Sequence, residues 1–247
     1  MRELIRTIVS LFGYIFLHNH DSKIIYYHDV ECDYTMMGTS LSTIKKHIDI
    51  ARKSGYSFVN NISERKGQIQ VCFDDGWKGL YDYKDFFLDQ HIYPTVFIAV
   101  DLIGKEGYMT KEQIQELAEK GFLFEGHTWS HVGLTGLSDE QLSHELVDSK
   151  TRLEEMFGKS FTSICFPLGF FNDKVINASL EAGYTELYSS VCGGFYDLAD
   201  KNIICRNLMQ CASSFRFRLS INGRSSVFTR MNLKHQYLQS HTDNKAL

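Results

Sequence analysis

The stretch "QIQVCFDDGWKGL", Gln68 to Leu80, decides how the rest of the chain is read. Its first six residues form an apolar-rich run with the character of a β-strand. The run ends in two adjacent carboxylates, Asp74 and Asp75, followed by Gly76. Like charges side by side at a strand end repel each other. Two explanations stand together at this point. Asp-Asp-Gly forms an Asx-type turn, or the two carboxylates share a cation and a reaction.

Outward from this run, short apolar segments alternate with helical patterns. Upstream, "KIIYY" reads as a strand, and Leu41, Ile44, Ile48 and Ala51 recur at helical spacing before Gly55. Downstream, "LYDYKDFFLDQ" predicts a helix, and Pro94 introduces the strand "TVFIAV". Thr110 with Gln113, and Ser138 with Gln141, have the capping-box spacing that opens a helix. The second of these helices extends to Gly158. "FLFEGHTWSH" begins as a strand and turns polar. "SICFPL", "TELYSSV" and "NIICRNLM" are further strands, with the helix "DKVINASLEAG" among them. Such alternation predicts an α/β architecture with a parallel sheet. The number of units favours a (β/α) barrel of about seven strands over an open sheet. In barrels, chemistry gathers at the C-terminal strand ends. His28 and Asp29, Asp74 and Asp75, His127, and Pro167 to Gly169 all fall at such ends.

The chain has 247 residues, 43% of them hydrophobic, enough for one large domain with a substantial core. Its 26 Lys and Arg against 30 Asp and Glu, a formal net charge of −4, exclude a nucleic-acid-coating surface. Aromatic residues, at 13%, serve mainly in packing, with a few available to line a sugar-binding groove. The six cysteines, at 32, 72, 165, 192, 205 and 211, show no Cys-x-x-Cys spacing. They read as buried free thiols in a reducing compartment.

Three parts follow from the pattern. Residues 1–22 are an apolar or amphipathic segment, 23–212 the α/β domain, and 213–247 a C-terminal extension in which "SSFRFRLSING" reads as a surface helix or strand and no chemistry is assigned. The apolar run Thr7 to Leu17 follows Arg2 and Arg6 and is too short for a firm membrane span. No small-x-small cleavage site follows it. It reads as an amphipathic helix docked on the domain, or as a peripheral membrane contact through residues 1–17. The expected location is accordingly cytoplasmic or peripheral to the membrane, with export on an uncleaved anchor as the remaining alternative. Oligomeric state is not legible.

His127 and His131, in "HTWSH", lie four apart and would share a face on a helical turn. Alone they could be a surface or capping pair. With a carboxylate from another strand end they form a two-His, one-carboxylate site with coordination positions left open. Adjacent aspartates on an extended chain point apart, so one can face a metal and the other a reacting water.

"FDDG", then "HTWSH", then "FPLG" together resemble the polysaccharide deacetylase family, the NodB-homology group or carbohydrate esterase family four. The resemblance runs from about Ile24 to Met209. It implies a distorted (β/α) barrel, a divalent metal, and removal of acetyl groups from N-acetylated saccharides. By the resemblance, Asp74 is the general base, and Asp75, His127 and His131 are the metal ligands. "CFPLG" stands where the family has Arg-Pro-Pro-Tyr-Gly. It implies a groove wall of Pro167, Leu168 and Gly169, with the Leu168 N–H facing the oxyanion. Two features depart from the family. Cys165 replaces the arginine that orients the base, and no late Leu-x-His supplies the acid. His235 and His241 lie in the weakly patterned tail and are poor replacements. The chain resembles the branch of poly-N-acetylglucosamine deacetylases, whose N-terminal Tyr-His strand supplies that acid. "IIYYHDV" therefore assigns it to His28, and Arg206 in "ICRNLM" becomes the candidate orienting arginine, with a surface or structural role as its alternative. The implied cofactor is a divalent metal, zinc first and cobalt, nickel or manganese next. The implied partner is an N-acetylated saccharide or glycan precursor. An O-acetyl esterase and a non-enzymatic saccharide binder are the rival functions.

Overall fold

The computed structural model describes residues 19–31 and 37–223. The expectations for residues 1–17, for Cys32 and for His235 and His241 lie outside the described residues. Among the described residues, no helix is long and apolar enough to cross a membrane.

The central sheet is wholly parallel. Its hydrogen-bonded path begins with β1 (Lys23–Tyr27), β5 (Gln68–Phe73), β6 (Thr95–Ile98) and β7 (Leu123–Gly126). It continues through β8 (Ser163–Cys165) and β9 (Glu186–Tyr188). Before β5 come the short pair β2 (Asp29–Val30) and β3 (Gly38–Thr39), and then β4 (Ser57–Phe58), which adds to β5. The last strand segment is split at Cys205 into β10 (Ile203–Ile204) and β11 (Arg206–Leu208). The first half pairs with β9 and the second with β1. The sheet thus returns on itself through one bent segment, which gives the distorted seven-strand barrel expected from the alternation.

Burial follows the period of two that a strand imposes. Ile25, Tyr27, Val71 and Phe73 join the larger core that includes Ile44, Ile48 and Phe87 from the helices. Ile24, Tyr26, Cys72, Phe97, Cys165 and Tyr188 form a separate buried cluster from the opposite faces of these strands. Both faces of the sheet are therefore covered, which is why the strands read as continuous apolar runs rather than as alternation.

Three local expectations change. The helix expected over 80–90 is two pieces, α2 (Lys78–Asp82) and α3 (Lys84–Asp89), after α1 (Leu41–Lys53). At Gly79 the first piece presses on β2 so closely that a Cβ would collide with the Asp29 carboxylate and the Val30 carbonyl. The second piece turns at Tyr83 and buries Phe87. Both capping boxes form, opening α4 (Lys111–Glu119) and α5 (Asp139–Ser143). The helix that Ser138 opens, however, widens into a π turn over His144–Asp148 before α6 (Ser149–Phe157). Third, "HTWSH" is an irregular loop and not a helical turn. Past residue 212, where a surface helix or strand is expected, the chain is helical. After α7 (Asp173–Glu181), α8 (Ser214–Asn222) buries Phe217 and Ile221 against the domain, and the Tyr56 hydroxyl donates to the Ile221 carbonyl at 2.6 Å. Its weak amphipathicity leaves helix and strand undecided in the sequence, because packing rather than pattern orders it.

Candidate active site

Strand register collects the site. Tyr27 pairs with Phe73, so His28 and Asp74 leave neighbouring strands together. The Asp74 N–H donates to the Tyr27 carbonyl at 3.0 Å. Ile98 pairs with Gly126, which delivers His127 to the same edge.

The backbone then separates the two carboxylates. Asp75 and Gly76 are both left-handed, with φ of 70° and 78°. A Cβ on Gly76 would stand 3.0 Å from Ile98 Cγ2, so only glycine fits the turn without displacing the strand end. The Asp-Asp-Gly turn sends the two side chains apart, Asp74 to one set of partners and Asp75 to another.

Asp74 meets Arg206 in a buried bidentate pair, with Nη1 to Oδ1 at 2.6 Å and Nη2 to Oδ2 at 2.8 Å. Arg206 is wholly buried and its Nε donates to the Ser189 carbonyl at 3.0 Å. Its guanidinium lies over the rings of Tyr26 and Phe97, at 4.2 and 5.2 Å. Burial alone would raise the Asp74 carboxyl; the guanidinium prevails and holds it below its ordinary value. The surface alternative for Arg206 is therefore excluded.

Asp75 faces the histidines. Its Oδ1 lies 3.1 Å from His131 Nε2 and 3.3 Å from His127 Nε2. Its Oδ2 accepts from the Trp77 indole at 3.0 Å. His127 Nδ1 lies 2.7 Å from the Cys165 carbonyl. A carbonyl can only accept, so Nδ1 carries the hydrogen, and Nε2 faces Asp75 either with a lone pair open to a metal ion or, in the protonated ring, as an N–H donor. Asp75 Oδ1 is buried, and the two imidazole nitrogens face it. A metal ion between these atoms, or N–H groups on the imidazoles, makes the arrangement favourable. Burial opposes ionisation of Asp75, and hydrogen bonds and positive charge from protonated His127 and His131 override it, holding the carboxyl far below its usual range. The donor set fits a divalent ion: one carboxylate oxygen and two imidazole nitrogens, all within 4.8 Å of one another.

Asp74, His127 and Cys165 also converge within 4.8 Å. Arg206 already fills that position, with Nη2 at 2.8 Å from Cys165 Sγ. A cation beside a buried guanidinium is repelled, so the Asp75 set is the better metal site. Burial also pushes the Cys165 thiol well above its ordinary value.

The helical-turn argument for the histidine pair is corrected. The rings converge, with centroids 4.8 Å apart, because Thr128 and His131 both adopt left-handed φ, 68° and 61°. His28 is half-buried and its Nδ1 lies 2.7 Å from Gln210 Oε1. Pro167 to Gly169 form a single helical turn with Leu168 left-handed, at φ 58°, and its side chain 59% exposed. The neighbouring amides are engaged, Gly169 with the Phe166 carbonyl and Phe170 with the Pro167 carbonyl. A Cβ on Gly133 would meet Leu168 Cδ1 at 3.8 Å, so this turn abuts the loop that follows His131.

Trp77 and Gln210 join the site without having stood out in the sequence. Trp77 directly follows the Asp-Asp-Gly turn, and that adjacency is the available signal. Gln210 carries none, since nothing local says that it will face His28.

The sequence model of the polysaccharide deacetylase family matches residues 61–187, just over half of the chain. The chain belongs to the polysaccharide deacetylase family. It is 32% identical over 117 residues to YxkH of Bacillus subtilis (strain 168), across 47% of this chain and 42% of that protein. It is 30% identical over 124 residues to the peptidoglycan-N-acetylglucosamine deacetylase of Bacillus cereus, across 49% of this chain and 56% of that protein. The matched stretches thus span about half the length of these curated relatives. Among solved structures, the polysaccharide deacetylase BC0361 of Bacillus cereus superposes with a TM-score of 0.70 at 22% identity, over 82% of this chain and 69% of that one. IcaB of Ammonifex degensii superposes with a TM-score of 0.68 at 17% identity, over 83% of this chain and 98% of that one. These likenesses establish the shared deacetylase fold.

Proposed function

We propose that this polysaccharide deacetylase is a metal-dependent hydrolase of the acetamide of N-acetylated sugars. The observation that carries the reading is Asp75 Oδ1, a buried carboxylate oxygen set between the Nε2 atoms of His127 and His131 at 3.3 and 3.1 Å. Asp75, His127 and His131 would hold the ion. Zinc suits the ligand set best, with cobalt, nickel and manganese as the other candidates. Bound there, it would supply Lewis acidity to polarise an acetyl carbonyl and acidify a water molecule.

The chain's own residues supply the proton traffic. Asp74 is ionised across the working pH range and is oriented by Arg206. Each carboxylate oxygen keeps a lone pair beyond its bond to the guanidinium, so Asp74 can take the proton of the attacking water as general base. The Leu168 N–H, with its neighbours' amides engaged, is the donor we assign to the developing oxyanion, with Pro167 and Gly169 forming the turn that aims it. His28 is the general acid. Gln210 fixes its Nδ1, so Nε2 is the proton donor to the departing sugar amine. Acetate and the free amine are the products.

The N-acetylated substrate is favoured by the named activity of the Bacillus cereus relative. The partner class is a saccharide or glycan precursor. For residues 1–17 we retain peripheral membrane contact as the proposal. The test combines elemental analysis with acetate release from matched N-acetylated and O-acetylated saccharides. The expected result is one divalent ion per chain and release from the N-acetyl series. Release from the O-acetyl series alone would replace the reading with an esterase. Absence of both metal and acetate would leave a saccharide-binding relative.

A further inference from the structure

We propose that Glu145 is a positioning residue for the metal centre, holding the loop between His127 and His131 in the one shape that converges their imidazoles. The inference rests on the metal-dependent reading above. Glu145 lies in the π turn, well away from the cluster in sequence, and is 5% exposed. Its Oε2 accepts from the backbone N–H groups of Trp129 and Ser130, at 2.9 and 3.0 Å. Its Oε1 accepts from the Ser130 hydroxyl at 2.5 Å. One buried carboxylate therefore gathers three donors, all from two of the three residues that separate the histidines.

The loop needs this restraint. Thr128 is β-branched and His131 bulky, and both are left-handed, a conformation that costs non-glycine residues about 1–2 kcal/mol each. The opposite side of the loop is tied by its carbonyls. Val100 N–H donates to the Thr128 carbonyl at 3.2 Å, and Asp101 N–H to the Trp129 carbonyl at 2.9 Å. Glu145 takes the amides, so carbonyls and amides are clamped from opposite sides. The π turn itself is braced: Ser149 Oγ donates to the carbonyls of Glu145 and Leu146, at 2.6 and 3.2 Å. Widened helical turns of this kind recur at functional sites. The ring of His144 lies against Trp129, with centroids 4.6 Å apart, so successive residues of the turn hold the same loop. None of these groups would touch the ion; they fix the backbone that carries two of its ligands.

The test measures zinc affinity of the metal-free protein by competition with a chromophoric chelator, for wild type, Glu145→Ala and Glu145→Gln. Expected is a 10–100-fold loss of affinity in Glu145→Ala, the range typical of groups that support a ligand shell. Glu145→Gln keeps one acceptor oxygen and should fall between. kcat should fall in the same order with KM little changed. If Glu145→Ala does not fold, Glu145→Gln carries the measurement. Folded variants that melt earlier but bind zinc within about twofold of wild type would reduce Glu145 to a stabilising residue and overturn the proposal, while the metal-dependent reading stands. A wild-type chain that binds no zinc would instead overturn that reading and this proposal with it.

Discussion

His47 and His127 are both almost wholly buried, with 0% and 2% exposure, yet their surroundings differ in kind. His47 sits in α1 with both nitrogens satisfied. Nε2 lies 2.9 Å from the Ala212 carbonyl, which only accepts, so Nε2 donates. Nδ1, also at 2.9 Å, must then accept from the Tyr27 hydroxyl. The ring stacks on Phe217, with centroids 4.2 Å apart and planes 5° from parallel. This is a core histidine, neutral and complete. His127 has one nitrogen satisfied by the Cys165 carbonyl, while the other faces Asp75 beside His131. Burial therefore does not mark a functional histidine. What sets His127 apart is a ring nitrogen facing a carboxylate beside a second imidazole, an arrangement that an added positive charge stabilises.

The largest effect should come from the open side of this comparison. Asp75→Ala should abolish metal content by elemental analysis and take acetate release to background, whereas His47→Gln should leave both near wild type in the folded protein. Metal lost from His47→Gln but kept by Asp75→Ala would break the comparison. Asp74→Asn should keep its metal and lose about 10²–10⁴-fold in kcat, the scale of general base catalysis. Near-normal turnover in that variant would refute the base assignment. Arg206→Met should leave Asp74 buried without its partner and destabilise the fold by about 3–5 kcal/mol in denaturant melts. Combining it with Asp74→Asn should recover much of that stability and none of the activity. A double variant as unstable as Arg206→Met alone would show that Arg206 matters through Ser189 and its ring contacts instead.

Much of this contrast is legible in the order of residues along the chain. The alternation of strands and helices points to the barrel, because strands buried on both faces must be apolar throughout. Asp74, Asp75, His127 and His131 stand out because each polar group interrupts an apolar run at its end. What stays hidden is whatever depends on nonlocal contact. Arg206 is reached in the sequence only through the family resemblance, because its contact with Asp74 depends on β11 pairing beside β1, with Ile24 opposite Arg206. Glu145 falls within a continuous helical pattern, and no spacing rule foretells a π turn that buries a carboxylate. The loop geometry of "HTWSH" misleads for the opposite reason: spacing of four suggests a helix, but two left-handed residues achieve the convergence. The split of the 80–90 helix and the order of 214–222 are likewise decided by packing on neighbours.

The smallest effect probes the closed side. Burial lowers the His47 pKa below its ordinary 6.5, and the bond from its ring to the Ala212 carbonyl only partly opposes this. The unfolded chain therefore takes up a proton at this site before the folded chain does. The stability that His47 contributes is complete above about pH 6.5 and is lost as pH falls through the lower folded pKa, with a slope of at most about 1.4 kcal/mol per pH unit. His47→Gln can donate to Ala212 and accept from Tyr27 without titrating. Denaturant melts at about pH 7.5 and pH 5.5 should show wild type losing more stability than this variant over that interval. The remaining titrations, including those of Asp74 and Asp75, are common to both proteins and cancel in the difference. Equal losses would mean that His47 accepts its proton without disturbing Tyr27, and the distinction between a completed histidine and one with a free lone pair would then rest on the metal measurements alone.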